Sequence, residues 1–155
     1  MGTEVKRLLD QLHRMYHGEC WAGLSVKDIL EDIHPELAGR TLPHFPKTIH
    51  SIALHVLATE HVVTGRLQGA NKVLTAEEDW PTNITTPWNE TVQNIDESYY
   101  RLYKEVEQLG DNDLDRPILK GFSSVYVTLH GHIQHNLYHY GQIALMKSLL
   151  QQPVQ

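Results

Sequence analysis

The last thirty residues constrain this chain most. From about Ser124 to Leu150, apolar side chains would cover most of the circumference of a helix. Neighbours must pack such a helix on several sides, so the segment predicts a central helix of an all-helical bundle. A second pattern runs along it. At about 100° per residue, Thr128, His132, His135, His139, Gln142 and Met146 fall within roughly 80° of one another, at spacings of four, three, four, three and four. Imidazoles on an interior face cost on the order of 1–3 kcal/mol each if left without partners. Either a hydrogen-bond network or a metal ion has to satisfy them.

Three further long helices follow from the spacing of apolar residues. The first, Thr3 to Tyr16, carries Val5, Leu8, Leu9, Leu12 and Met15 on one face, with Thr3 as N-cap and Gly18 closing it. Ser25 with Asp28 three residues on resembles a capping box and opens a brief helix, Val26 to Asp32. Pro35, Gly39, Pro43 and Pro46 make 34–46 a loop. The second long helix, Lys47 to Leu67, aligns Ile49, Ile52, Ala53, Val56, Leu57, Glu60, Val63 and Leu67, and Gly69 stops it. A polar connection with Trp80-Pro81 leads to Thr86-Pro87, an N-cap with Pro at the first helical position. The third helix, Pro87 to Leu109, follows with Trp88, Val92, Ile95, Tyr99, Leu102, Val106 and Leu109. The expectation is one domain over 1–155, an all-α four-helix bundle with long connections between helices one and two and between two and three.

Composition narrows the function classes. A formal charge of −6 and no basic run exclude nucleic acid as the main partner. No apolar stretch reaches the ~18 residues that cross a membrane, and the start lacks the apolar core of a secretory signal. The single Cys20 excludes an internal disulfide and fits a reducing compartment, so a cytoplasmic location is expected. Cys20, beside Trp21, reads as filler rather than nucleophile. What stands out is 11 histidines, the commonest metal-ligand residue.

His135 and His139 are four apart, so on a helix their rings share a face and can bridge one ion. Asn136 stands where zinc proteases of the His-Glu-x-x-His type carry glutamate, which excludes that hydrolase class. Two ligands fall one short of a site that keeps an open position. The second long helix offers His50, His55 and His61, and periodicity does not choose among them.

The run Leu129-His130-Gly131-His132-Ile133-Gln134-His135-Asn136-Leu137-Tyr138-His139-Tyr140-Gly141-Gln142-Ile143 resembles the last helix of DinB-like proteins, which share the YfiT-like four-helix-bundle fold. Trp21-Ala22-Gly23-Leu24-Ser25, Ile49 to Val56, Glu78-Asp79-Trp80-Pro81 and Thr86-Pro87-Trp88 extend the resemblance over nearly the whole chain. It implies a metal triad of one histidine on the second long helix and the pair on the fourth, at His55, His135 and His139. Asn136 departs from a position that is often Asp in the family, and His132 from one that is usually apolar.

The resemblance further implies a bound divalent ion, zinc or nickel, and relatives that are thiol-dependent transferases or isomerases. The expected function is therefore transfer of a low-molecular-weight thiol to a small electrophile. Gln142, His132, Tyr138 and Tyr140 are candidate hydrogen-bond donors near the ion. The alternatives are a metal- or ligand-binding stress protein without turnover and a hydrolase using metal-bound water, for which Glu60 is the candidate base. The third and fourth helices carry more apolar surface than one neighbour each would cover, so a homodimer is expected. Trp21, Trp80 and Trp88 are expected to pack the long connections.

Overall fold

The computed structural model describes residues 2–152. Its long helices are α1 (Thr3–His17), α4 (Ile49–Leu67), α6 (Trp88–Glu107) and α7 (Val125–Gln151). Short helices α2 (Val26–Leu30), α3 (Pro35–Ala38) and α5 (Ala76–Asp79) lie in the connections, with one turn of 3-10 helix at Asp111–Asp113. The most extensive helix contacts are α4 with α7 and α4 with α6, and α1 packs against both α6 and α7. The four therefore form a ring in which α4 lies opposite α1. This is the all-α four-helix bundle expected from the sequence, with the long connections where they were expected.

The interior is the set of residues the periodicity marks. Val5, Leu8, Leu9, Leu12 and Met15 of α1, Ile49, Ile52, Ala53 and Val56 of α4, and Ile95, Tyr99, Leu102 and Val106 of α6 are all buried. The Tyr16 ring stacks on Tyr99 at 3.9 Å between centroids, and its hydroxyl donates to Asp96 at 3.0 Å. Trp88 closes one end, donating from Nε1 to the Ile33 carbonyl at 2.6 Å.

Several local expectations change. Ser25 and Asp28 form the capping box, but the helix they open ends at Leu30. Thr3 does not cap α1. Asp111, 106 positions away from Val5, accepts the Val5 amide at 3.0 Å and does that work from across the bundle. Lys47 lies outside α4, which Thr48 caps by accepting from the Ser51 amide. Pro87 occupies the N-cap position of α6 rather than the first helical position. The 34–46 loop holds α3 and a hairpin of β1 (Thr41–Leu42) and β2 (Phe45–Thr48), pairing Leu42 with Phe45 and Thr41 with Thr48. Pro43 and a left-handed His44 (φ 63°) make its turn.

Helix α7 is packed on several sides, by α4, α1 and α2, and Val127, Tyr138, Leu145 and Leu149 lie exposed along its remaining face. One expectation about the tryptophans is corrected. Trp21 does not pack its connection but stands fully in solvent at 103% relative exposure, while Trp88 is buried as expected. No helix of the described residues is long and apolar enough to cross a membrane.

Candidate metal centre

The extensive α4–α7 interface brings His55 on α4 against His135 and His139 on α7. One ring nitrogen from each lies within 4.8 Å of the others, a spacing that a single ion can span. The ring centroids are 5.0 Å (His55–His135), 4.6 Å (His55–His139) and 4.5 Å (His135–His139) apart. Nε2 of His55 and Nε2 of His135 are 3.0 Å apart. His55 and His139 are buried and His135 is half-buried.

What lies behind each ring shows the chemistry the group can do. His55 Nδ1 is 2.9 Å from the Asp79 carbonyl and 2.9 Å from Asp79 Oδ1, both acceptors, so Nδ1 carries the proton. His139 Nδ1 donates to Gln142 Oε1 at 2.8 Å. In both rings the lone pair is therefore left on Nε2, facing the centre of the triad. An acceptor behind the far nitrogen fixes tautomer and ring angle and raises ligand basicity. His135 Nδ1 is buried with no partner among the described residues. Burial pushes the His135 imidazole down to about 4, with His139 and His55 adding to the effect. His139 is lowered as well, chiefly by burial. Both rings are thus neutral near pH 7, the form that coordinates metal.

Trp80 forms one wall. Its ring stacks on His55 at 3.9 Å and 7°, and meets His139 edge-on at 5.8 Å. Lys47 Nζ lies 3.7 Å from the centroid of the Trp80 ring. Asp79 and Trp80 reach this place because the 71–87 connection folds back over α4, and α5 sets its direction. Thr75 accepts from the Glu78 amide and Glu78 reaches back to the Thr75 amide. That Thr75-x-x-Glu78 capping box is legible in the sequence and is the signal by which α5, and with it Asp79, is detectable in advance.

The other expected residues divide. Gln142 takes the role assigned to it as a hydrogen-bond partner at the site, though as acceptor rather than donor. Tyr138 is exposed and lays its ring against His139 at 4.9 Å. Tyr140 is no part of the site: it is fully buried in the core and its hydroxyl has no partner among the described residues. His132 does not face the triad. Its Nε2 donates to Glu60 at 3.1 Å, one buried side chain to another. Asn136 Nδ2 donates to the His132 carbonyl at 3.0 Å and lies 2.9 Å from His132 Nε2. The two departures from the family pattern, Asn136 and His132, are therefore one feature. A buried network with Glu60 sits beside the triad rather than behind a ligand.

His50 is committed elsewhere, with Nε2 2.9 Å from Thr91 Oγ1 and its ring edge-on to Trp88. His61 lies on the exposed side of α4, and His130 packs on Tyr126 at 4.3 Å. The three-histidine group is the one cluster of metal-ligating type found among the described residues.

The family model described as the DinB superfamily matches residues 25–143, and the chain belongs to that superfamily. The match runs from the cap of α2 through Ile143, so it spans all three histidines. No curated protein matches the chain.

Proposed function

We propose that His55, His135 and His139 hold one divalent ion, zinc or nickel, and that the protein uses it to transfer a low-molecular-weight thiol to a small electrophile. The observation carrying the metal reading is the disposition of the rings. Three ring nitrogens converge within 4.8 Å while Asp79 and Gln142 occupy the far nitrogens of two of them. Three neutral imidazoles suit late first-row divalent ions and leave an open position. When bound, such an ion keeps its +2 charge and stabilises a thiolate at neutral pH.

The chain's own residues supply orientation and dryness. Asp79 and Gln142 hold two rings in place, and Trp80 walls the site against water. In the reaction the thiol loses its proton to solvent and its sulfur forms a bond to the electrophilic carbon. The leaving group departs with the electron pair of the bond it held and takes up a proton. The hydrolase alternative fares worse, because the two carboxylates of this polar seam are engaged: Asp79 with His55 and Glu60 with His132. Neither is poised as a general base.

The test is turnover of a generic electrophile by metal-loaded protein with glutathione, bacillithiol, mycothiol and coenzyme A in turn. Turnover with one thiol, lost in a folded His139→Ala variant, supports the transferase. Absence of turnover with every thiol, in protein that holds metal, leaves a binding protein without this chemistry.

A further inference from the structure

The exposed face of α7 is unusual for a surface helix. Val127, Gly131, Gln134, Tyr138, Gly141, Leu145 and Leu149 all lie exposed along it. Their spacings of four, three, four, three, four and four keep all seven on one face of the helix. Val127 is 54%, Tyr138 65%, Leu145 61% and Leu149 43% exposed. Between Val125 and Gln151 the sequence has one formally charged residue, Lys147, and its ammonium is turned away to the carbonyls of Ile29 and Glu31. Exposed Trp21 and Leu24 border the same face, lining shallow hollows with Leu137, Gly141 and Ala144.

The glycines add a second, independent observation. A Cβ at Gly131 or at Gly141 would meet nothing within 4 Å. Packing within the chain therefore does not require glycine at either place, although each costs roughly 1 kcal/mol relative to Ala in a helix interior. Close approach of another backbone is a reason to keep them.

We propose that this face binds a second copy of the chain, α7 against α7 antiparallel about a two-fold axis at Tyr138. The pattern is self-complementary about that residue. With Tyr138 opposite the partner's Tyr138, Leu145 falls opposite the partner's Gly131 and Leu149 opposite the partner's Val127. Each large side chain at 145 meets a glycine gap, and apolar meets apolar at the ends. An isologous interface demands such self-matching. The seam is ~33 Å long at 1.5 Å per residue. Its four apolar side chains, with Trp21 and Leu24, expose area on the order of 800 Å², comparable to what each partner buries in a standard interface. Tyr138 touches His139, so the axis would set the two histidine triads close to the interface. Pairing through this face does not depend on a bound ion.

The experiment is the mass of the full chain in solution by light scattering and sedimentation, up to ~100 μM, with V127K, L149E and the V127K/L149E double variant. Both positions are exposed and ~33 Å apart along one helix, so they cannot compensate within a chain. The wild type is expected at twice 17.8 kDa. Each single variant, with its helical circular dichroism unchanged, should dissociate at least about tenfold more readily. The double variant should recover most of that loss, because at each end of the seam the introduced ammonium of one copy then faces the introduced carboxylate of the other. A monomeric wild type at ~100 μM overturns the proposal, including a monomer that instead sediments with phosphatidylglycerol vesicles. A dimer in which the double variant is no tighter than the singles overturns the register.

Discussion

The Glu60–His132 pair offers the sharpest test of how the polar seam is held. Glu60 on α4 and His132 on α7 join across the bundle at 3.1 Å, with side chains 7% and 0% exposed. Replacing His132 with Leu removes the partner and leaves a carboxylate in an apolar interior. Breaking one side of a buried pair costs about 3–5 kcal/mol. Glu60 keeps 7% of its side chain exposed, so the lower end, about 3 kcal/mol, is expected. For a chain of this length that lowers Tm by roughly 6–12 °C. Replacing both residues with Leu removes the uncompensated charge and fills similar volume. The double variant should therefore lie within about 1 kcal/mol of the wild type, or above it. Urea denaturation of the four members of the cycle gives the coupling energy directly. Additive losses, or a His132→Leu variant within about 0.5 kcal/mol of wild type, would refute the reasoning.

The remaining predictions concern the triad and acidity. Gln142→Ala removes the acceptor of His139 Nδ1, whereas Asp79→Ala leaves the backbone carbonyl on His55 Nδ1. Gln142→Ala should weaken zinc binding about 10-fold or more and Asp79→Ala less, as read by competition with a chromophoric chelator; the reverse order would count against the assignment. In metal-free protein, stability should fall as pH drops from about 6.5 toward about 4. The unfolded chain takes up protons there that buried His135, held down to about 4, refuses, and His139, His50 and His61 are lowered in the same sense. Urea midpoints at pH 7.5 and pH 5 check this, and a midpoint unchanged or higher at pH 5 contradicts it.

Much of this was legible in the sequence, for a physical reason. Helical periodicity reports burial, so the faces of α1, α4, α6 and α7 stood out, as did the pairing of His135 with His139. Local spacing cannot show which residue a distant element presents. His50, His55 and His61 sit on one helix, and only the approach of α7 and of the 71–87 connection separates them: His50 goes to Thr91, and His55 goes to the triad. The same holds for Asp79 and Trp80, whose places depend on how the connection folds back. It holds for Asp111, which caps α1 from across the bundle. The β1–β2 hairpin was too short to show alternation, and Trp21 read as packed because tryptophan usually is. That α7 would keep some apolar surface uncovered was legible, but which of its residues lie there was not, since exposed and core apolar residues look alike in a sequence.

The claim at the centre is that His55, His135 and His139 together hold a divalent ion. Titration of metal-free protein with zinc, read by calorimetry, tests it most directly. One ion per chain is expected, with binding weakened at least about 100-fold in His55→Ala, His135→Ala and His139→Ala variants that keep their helical content. Absence of binding by the wild type, or binding that survives all three substitutions, would contradict it.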